Sequence, residues 1–212
     1  MTDILMIKSL NKHYDAGGKT VLNDIDLTVA KGEFVGIFGP SGCGKTTLFN
    51  ILTGLDYATS GAAYIDGRDM TKMLKNEIAP FRRQKVGTLF RDIRLIDGLT
   101  VKENISFPLI LNGKTPKEMN EIVEGMMDFL GIEGLSNKAI SDITQEEMQQ
   151  VSAARALVVN PMILLADEPT GDLDSTSVAN FMEMLMVMTE PAGTDSPALR
   201  ICVTVPSSKT AS

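Results

Sequence analysis

The sequence predicts an α/β fold with a mostly parallel central sheet. A glycine-rich segment, 39–46, follows the apolar run 34–38 and precedes a helical pattern at 47–52. A second apolar run, 162–166, has no polar interruption, which is typical of a parallel strand buried on both faces. Predicted strands and helices alternate around these two segments, and this alternation is characteristic of the α/β class.

The remaining elements follow from hydrophobic periodicity and from turn residues. Strands at 4–10 and 21–29, joined by a turn at 15–19, predict a mixed sheet on the N-terminal side. From 99 to about 150 the pattern changes to helix, which indicates a helical insertion. The other predictions are strands at 63–67, 85–90 and 199–205, helices at 118–130, 151–159 and 176–189, a loop at 191–197 and a polar tail at 207–212.

Composition excludes several classes of function. The net charge of −7 argues against nucleic-acid binding through bulk basicity. Two cysteines are too few for a disulfide framework and indicate a reducing compartment. No run approaches about 18 apolar residues, and the first residues lack the pattern of a signal peptide. Any membrane role is therefore expected to come through a partner.

The segment from Gly39 to Thr46 reads G-x-x-x-x-G-K-T, the pattern of a loop that grips phosphate. Its glycines let backbone N–H groups converge on an anion, and the following helix N-terminus adds partial positive charge. Lys45 is expected to reach the outer phosphates and Thr46 to ligate Mg²⁺. The alternative, a glycine-rich turn opening an ordinary helix, is disfavoured by the strand–loop–helix context. The predicted nucleotide-binding residues of this loop are Gly39, Ser41, Gly42, Cys43, Gly44, Lys45, Thr46 and Thr47.

Two adjacent carboxylates, Asp167 and Glu168, follow the buried run 162–166. Carboxylates at the end of a buried strand are costly unless they do chemistry or bind metal. Parallel sheets bind ligands at that edge. We expect Asp167 to hold Mg²⁺ through water and Glu168 to activate a water against the terminal phosphate. The alternative is that both acids only serve a helix dipole.

With these motifs in this order, the chain resembles the ATP-binding subunit of an ABC transporter over residues 3–206. The residues that carry the resemblance are Tyr14, the phosphate loop, and D-E-P-T-G-D-L-D at 167–174. Tyr14 matches the family's adenine-stacking aromatic residue, although it could also be a partly buried tyrosine at a strand end. The segment 99–109 is similar to the subgroup of lipoprotein-release, macrolide-export, bacitracin-resistance and cell-division ATPases.

The resemblance implies a P-loop NTPase (RecA-like) core, an N-terminal antiparallel β subdomain and an inserted helical subdomain. It implies one nucleotide-binding domain, 1–212. The implied core is 1–95 and 155–206, the helical subdomain 96–154 and the tail 207–212. ATP and Mg²⁺ are the implied ligands, and a transmembrane permease and a second ATP-binding subunit, in a homodimer or heterodimer, are the implied partners. The implied location is cytoplasmic, at the inner face of a membrane.

The family's Leu-Ser-Gly-Gly-Gln signature is replaced at 143–147 by Ile-Thr-Gln-Glu-Glu. In the family this segment caps the ATP bound by the partner subunit. Here Glu146 and Glu147 put two carboxylates at that place. A carboxylate about 5 Å from one phosphate charge repels it by roughly 3 kcal/mol at an effective dielectric constant of about 20. Gln145 and Glu146 are also bulky enough to block close backbone approach.

The replacement has a local explanation, because Thr144 and Glu147 have the spacing of a capping box. The helix would then cap itself with the groups that the family offers to a partner's ATP. The competing interpretation is that these residues are only solvated acids at a helix start. Both interpretations remove the function of the signature.

Two single-residue departures also affect the site. The family's Q-loop glutamine becomes Arg91, which can pair with phosphate and cannot ligate Mg²⁺. The family's switch histidine becomes Val205, and losing one transition-state contact typically costs about 10²–10³ in rate. We therefore expect an ATP-binding subunit with weak hydrolysis, which docks its membrane partner near 91–107. The alternative is a nucleotide-binding pseudo-ATPase. A small-molecule kinase is disfavoured by the acids at 167–174.

Overall fold

A computed structural model describes residues 3–14, 18–171, 173–189 and 201–206. Within these ranges the chain forms two four-stranded sheets, one antiparallel and one parallel. The predicted α/β class is confirmed, and so is the antiparallel N-terminal sheet that the resemblance implies. The mixed sheet predicted there from the strand pattern is wrong, because all the described strand pairs of this sheet are antiparallel. The predicted loop at 191–197 and tail at 207–212 lie outside the described residues, as do 15–17 of the predicted turn.

The antiparallel sheet consists of β1 (Asp3–His13), β2 (Thr20–Ala30), β4 (Ser60–Ile65) and β5 (Arg68–Asp69), in the order β2-β1-β4-β5. The strand predicted at 63–67 therefore begins earlier, at Ser60. Gly61 in this strand has a φ of 84°, and a Cβ there would lie 2.7 Å from Cα of Leu10 and closer still to the Ser9 carbonyl. Because β1 passes so near, only glycine fits at position 61.

The parallel sheet consists of β3 (Phe34–Gly39), β6 (Val86–Leu89), β7 (Ile163–Asp167) and β8 (Ile201–Pro206), in the order β3-β8-β7-β6. All five residues of β7 are buried, as its uninterrupted apolar sequence predicts. The carboxyl ends of these strands meet at one edge of the sheet. The glycine-rich loop follows β3, Arg91 follows β6 and Glu168 follows β7, so the sheet brings them to that edge.

The helices in the described ranges are α1 (Lys45–Leu52), α2 (Lys75–Lys85), α3 (Val101–Leu111), α4 (Pro116–Leu130), α5 (Gln145–Leu157) and α6 (Ser175–Thr189). Sequence periodicity missed α2, because this helix contains Pro80 and buries only Ile78 and Phe81. The helix predicted at 151–159 ends at Leu157, before Asn160, whose φ is 50°.

Buried side chains form three clusters. The first joins the antiparallel sheet to α1 and to one face of β7, through Ile163 and Leu165. The third lies on the other face of β7, where Leu164 and Ala166 pack with α6. Burying a leucine or isoleucine side chain contributes about 1.5–3 kcal/mol, so β7 stabilises both layers. The second cluster lies within α3, α4 and α5.

Helix α5 belongs to two of these clusters. Val151 and Ala154 pack in the helical cluster, and Ala153 and Leu157 pack in the cluster behind the parallel sheet. Neighbouring residues of a helix point about 100° apart, so successive side chains reach different layers. The subdomain boundary predicted at 154/155 thus falls inside one continuous helix.

Helix α4 begins with a capping box that makes stability depend on pH. The Thr115 N–H donates to Glu118 at 2.9 Å, and Lys114 donates to the other carboxylate oxygen at 2.9 Å. These hydrogen bonds, that from the Thr115 backbone foremost, lower the pKa of Glu118 from 4.5 to about 2. Because the pKa of Glu118 is lower in the folded chain than in the unfolded chain, ionised Glu118 stabilises the fold at pH values above the unfolded pKa. This contribution is lost as the pH falls towards the folded pKa.

We therefore expect Glu118→Gln to lower the melting temperature near neutral pH and to have little effect at about pH 2. The difference in melting temperature between parent and variant should disappear as the pH falls from 4.5 to about 2, which are the unfolded and folded pKa values of Glu118. Thermal unfolding followed by circular dichroism across this pH range tests it, with Glu121→Gln on the same helix as the control. A difference that is constant with pH would contradict the assignment.

Candidate functional site

The loop between β3 and α1 adopts a conformation that glycine permits. Gly42 and Gly44 have φ values of 78° and 104°. A Cβ at Gly44 would lie 2.8 Å from the Val21 carbonyl oxygen, in the backbone of β2. A Cβ at Gly42 would have no atom of the described residues within 4 Å. Gly44 is therefore required by both its backbone angle and its packing, whereas Gly42 is required by its angle alone.

The N-terminus of α1 is left available for an anion. Gly44 occupies the N-cap position without a side-chain cap, and the first turn contains no acidic residue. The first N–H groups of a helix need partners from outside it. Thr46 is exposed and Thr47 is partly exposed at this helix start. In the preceding loop Ser41 and Cys43 are exposed as well. This arrangement fits a bound phosphate group.

Lys45 lies at the centre of the site and is 7% exposed. Its ammonium donates to the carbonyl oxygens of Gly39 at 2.8 Å and Pro40 at 3.3 Å. It also lies 3.6 Å from Oε1 of Glu168. The structure thus brings together the lysine and the glutamate that sequence reasoning assigned to one site.

The two acids lie where β7 ends. Asp167 is the last residue of the strand and is buried, and Glu168 has a φ of 47°, which is unusual for a residue with a side chain. The Gly171 N–H donates to the Glu168 carbonyl oxygen at 3.0 Å, which closes a turn after the strand. Strained backbone of this kind is common at functional sites.

Arg91 contacts Glu168 directly. Its Nη1 lies 3.5 Å from Oε2 of Glu168, so the two carboxylate oxygens face two different cations, Lys45 and Arg91. Sequence reasoning predicted that Arg91 could pair with phosphate and missed this ion pair. The available signal was an arginine after one strand and a glutamate after another, but their proximity depends on β6 lying beside β7.

Tyr14 lies beside the segment that follows α1. Its hydroxyl donates to Asp56 at 2.7 Å, and the Lys12 ammonium lies 4.6 Å from the centre of its ring. Burial raises the pKa of the Asp56 carboxyl, but hydrogen bonds from Lys12 and Tyr14 outweigh it and leave the pKa below its usual value. Tyr14 is 43% exposed, so part of the residue stays accessible while its hydroxyl is anchored by Asp56. Its role in adenine stacking stays a prediction.

The segment that replaces the signature caps its own helix, as the spacing predicted. The Thr144 hydroxyl accepts from the Glu147 N–H at 3.2 Å, and Glu147 accepts from the Thr144 N–H at 2.7 Å. The latter bond lowers the pKa of Glu147, so this carboxylate is ionised near neutral pH. Gln145 begins the helix and is exposed.

Glu146 has a partner that the sequence did not reveal. It accepts a hydrogen bond from the Ser177 hydroxyl on α6. Beside this contact, residues of α5 and α6 line a pocket of about 120 Å³ that is open to solvent. Gln149 lines this pocket, and its buried Oε1 has no hydrogen-bond partner among the residues that the structure describes. The signature position is therefore tied to α6 of its own chain.

The remaining site residue is Val205 in β8, whose backbone pairs with Phe38 of β3. In the described part of the chain, no three His, Cys, Asp or Glu side chains are grouped to hold a metal ion. The helices that the structure describes include none of the length and apolarity needed to cross a membrane.

Comparison with known proteins gives consistent matches. A family model described as ABC transporter matches residues 22–171. The chain is 39% identical over 186 residues to the ABC transporter ATP-binding protein YxdL of Bacillus subtilis (strain 168), covering 87% of this chain and 72% of that protein. It is 40% identical over 189 residues to the bacitracin export ATP-binding protein BceA of Halalkalibacterium halodurans, covering 87% and 75%. It is also 40% identical over 185 residues to the macrolide export ATP-binding/permease protein MacB of Mannheimia succiniciproducens, covering 86% and 29%.

Two solved structures show the same architecture. The ATP-binding cassette MJ0796, in a dimeric post-hydrolysis state bound to ADP and Pi, superposes with a TM-score of 0.82 at 32% identity. The match covers 94% of this chain and 87% of that one. The protein cbiO1 from Clostridium perfringens, part of the ABC transporter complex cbiONQ, gives a TM-score of 0.84 at 28% identity, covering 97% and 79%.

Proposed function

Since this chain belongs to the ABC transporter ATP-binding family, we propose that it binds Mg-ATP and drives or regulates a membrane permease, with weak hydrolysis. One observation carries the nucleotide-binding part. The buried ammonium of Lys45 lies 3.6 Å from Glu168, and Lys45 begins helix α1, whose N-terminus has no side-chain cap. A buried cation next to unpaired helix N–H groups is suited to a polyanion.

The residues at the sheet edge fit Mg²⁺ as well. Thr46 lies in the first turn of α1, Asp167 ends β7, and α1 packs against β7. A hydroxyl and a carboxylate, completed by phosphate oxygens and water, are ligands that Mg²⁺ accepts. The bound ion would neutralise charge on the phosphates, and Glu168 would orient the attacking water. The nucleotide-binding set remains the loop residues Gly39 to Thr47 given above, with Tyr14 against the adenine.

Isothermal titration calorimetry with Mg-ATP tests the binding proposal. We expect saturable heat with the parent chain. No heat above that of dilution, from a chain whose thermal unfolding shows it to be folded, would end the proposal.

Weak hydrolysis is supported by the state of the signature segment. The carboxylates of Glu146 and Glu147 stand where the family's signature has a glycine and a glutamine, and Glu146 is held by Ser177. Val205 cannot replace the family's histidine, because valine has no hydrogen-bonding side-chain group.

The same observations favour the second candidate, a pseudo-ATPase that acts as a regulatory module. Phosphate release, measured alone and with a co-expressed permease, separates the two. A rate that Glu168→Gln removes would establish turnover.

A permease partner is supported by the names of the relatives and by exposed apolar side chains on and near α3. Ile96, Phe107, Ile110 and Leu111 are between 36% and 53% exposed, next to and within the predicted docking segment 91–107. Exposed apolar groups that lie together commonly mark interaction sites. Docking there would hold the chain at the cytoplasmic face of a membrane, and its association with a second ATP-binding subunit would follow the dimeric cassette MJ0796.

Replacing 143–147 by Leu-Ser-Gly-Gly-Gln is expected to make self-association depend on ATP. The exchange removes two carboxylates that would each repel a phosphate charge by roughly 3 kcal/mol at about 5 Å. Serine and glutamine keep the capping-box pattern, so α5 should still begin correctly. Analytical ultracentrifugation with and without Mg-ATP measures the effect in a Glu168→Gln background, and we expect the dimer dissociation constant to fall at least about tenfold.

A matched variant carrying Glu146→Gln and Glu147→Gln separates charge from shape, because it removes both charges and keeps the bulk. If the restored signature leaves dimerisation unchanged, the electrostatic explanation is wrong. If the matched variant alone reproduces the gain, charge accounts for all of it.

A further inference from the structure

The ion pair of Arg91 connects this residue to the phosphate-binding lysine. Glu168 lies between two cations, with Oε1 3.6 Å from Lys45 and Oε2 3.5 Å from Arg91. Lys45 is the residue expected to contact the outer phosphates. The guanidinium is therefore separated from the phosphate position by a single carboxylate.

The position of Arg91 is set by its neighbours. A Cβ at Gly171 would lie 3.6 Å from Nε and 3.7 Å from Cγ of Arg91, so the side chain lies along this glycine. Gly171 in turn is hydrogen-bonded to the Glu168 carbonyl. The Arg91 side chain is 62% exposed, whereas those of Glu168 and Lys45 are 15% and 6% exposed. Arg91 thus covers the acid from the solvent side and has donors left for a ligand.

The charges at this edge show what Arg91 adds. Lys45 and Arg91 are cationic, and Asp167 and Glu168 are anionic. Without Arg91 these protein groups would carry a net negative charge before Mg²⁺ binds, and Glu168 would repel a terminal phosphate most directly. A guanidinium offers several donors in a geometry that matches phosphate oxygens.

We propose that Arg91 binds the terminal phosphate of ATP, and that it makes this chain select nucleoside triphosphate over diphosphate without help from a partner's signature. Before ATP binds, Glu168 holds the guanidinium of Arg91 in place. When ATP is bound, the terminal phosphate accepts the hydrogen bonds of this guanidinium. Arg91 and the altered segment 143–147 are in this view complementary, since a cation in the same chain replaces donors that a second subunit would otherwise supply. The inference rests on the proposed nucleotide binding and names a specificity residue of the same site.

Calorimetry with Mg-ATP and Mg-ADP on the full chain tests this inference. We expect Arg91→Gln to raise the Kd for Mg-ATP about tenfold and the Kd for Mg-ADP less than about twofold, the loss of one charge-assisted phosphate contact. Arg91→Lys, which keeps the charge, should recover most of the affinity. Glu168→Gln, which releases both Arg91 and Lys45 from their ion pairs, should tighten Mg-ATP about threefold and Mg-ADP by less, because only Mg-ATP has the phosphate that Arg91 would bind.

The matched control is Arg94→Gln, because Arg94 lies over the Phe90 ring at 4.5 Å, a contact outside the phosphate site. It should leave both affinities unchanged. Circular dichroism should show that all variants fold, since Arg91 and Arg94 are exposed and Glu168→Gln keeps the size of its side chain. Equal losses for the two nucleotides, or no loss for either, would overturn the inference while leaving nucleotide binding intact. A parent chain that binds neither nucleotide would overturn the proposed function and this inference with it.

Discussion

Replacing Lys45 with methionine is expected to weaken Mg-ATP binding at least about 100-fold. The ammonium now donates to two loop carbonyls, Gly39 and Pro40, and a bound phosphate would supply stronger, charged acceptors. Each hydrogen bond to a charged group contributes about 1.5–3 kcal/mol, so two such bonds correspond to about 10²–10⁴ in affinity. Methionine has a similar length and no charge, so it removes the contact without opening a large cavity. Calorimetry gives the affinity directly.

The control for this change is Lys75→Met, which removes an exposed lysine at the start of α2. Thermal unfolding should show both variants folded. Undiminished affinity in a folded Lys45→Met chain would mean that the loop does not hold the nucleotide. Unlike Arg91→Gln, the Lys45 variant should lose affinity for Mg-ADP also, because the lysine reaches more than the terminal phosphate.

Gly61→Ala is expected to destabilise the fold by about 2–5 kcal/mol, out of the 5–15 kcal/mol typical of a domain. A side chain at a φ of 84° costs about 1–2 kcal/mol by itself. The new Cβ would also press on the backbone of β1, 2.6 Å from the Ser9 carbonyl carbon and 2.7 Å from Cα of Leu10. Backbone in a paired strand cannot yield as a side chain can, so β1 and β4 must separate, which adds about 1–3 kcal/mol.

Gly67→Ala provides the comparison, because Gly67 has a similar φ of 74° and no atom in the described part of the chain lies within 4 Å of the added Cβ. The free energy of unfolding of Gly67→Ala should fall only by the cost of a side chain at positive φ, about 1–2 kcal/mol. Urea denaturation followed by far-ultraviolet circular dichroism measures both variants. Equal losses at the two positions would show that the close approach of β1 does not matter.

The sequence predicted the features that depend on neighbouring residues. The loop from Gly39 to Thr46 and the uninterrupted strand 162–166 carry their signals within a few positions. The capping box of Thr144 and Glu147 does so as well, since its partners are one helical turn apart. Helix α2 lacked such a signal, because Pro80 and its polar neighbours hide its periodicity.

The contacts that the sequence did not predict join distant segments. Arg91 meets Glu168 only because β6 and β7 are adjacent and parallel. Glu146 meets Ser177 only because α5 packs on α6. These neighbours are set by strand order and helix packing, which a single sequence does not specify at the level of residue pairs. The sequence predicted the chemical role of these residues, whereas their contact partners were identified only from the three-dimensional structure.

Helix α5 packs in two hydrophobic clusters at once, and this has a mechanical consequence. Ala153 and Ala154 are consecutive, yet one packs behind the parallel sheet and the other within the helical cluster. A movement of α5 would therefore change the packing of both clusters. Because α3 packs on α5, a partner bound to the exposed apolar side chains of α3 would be connected through one continuous helix to the cluster on the far side of β7.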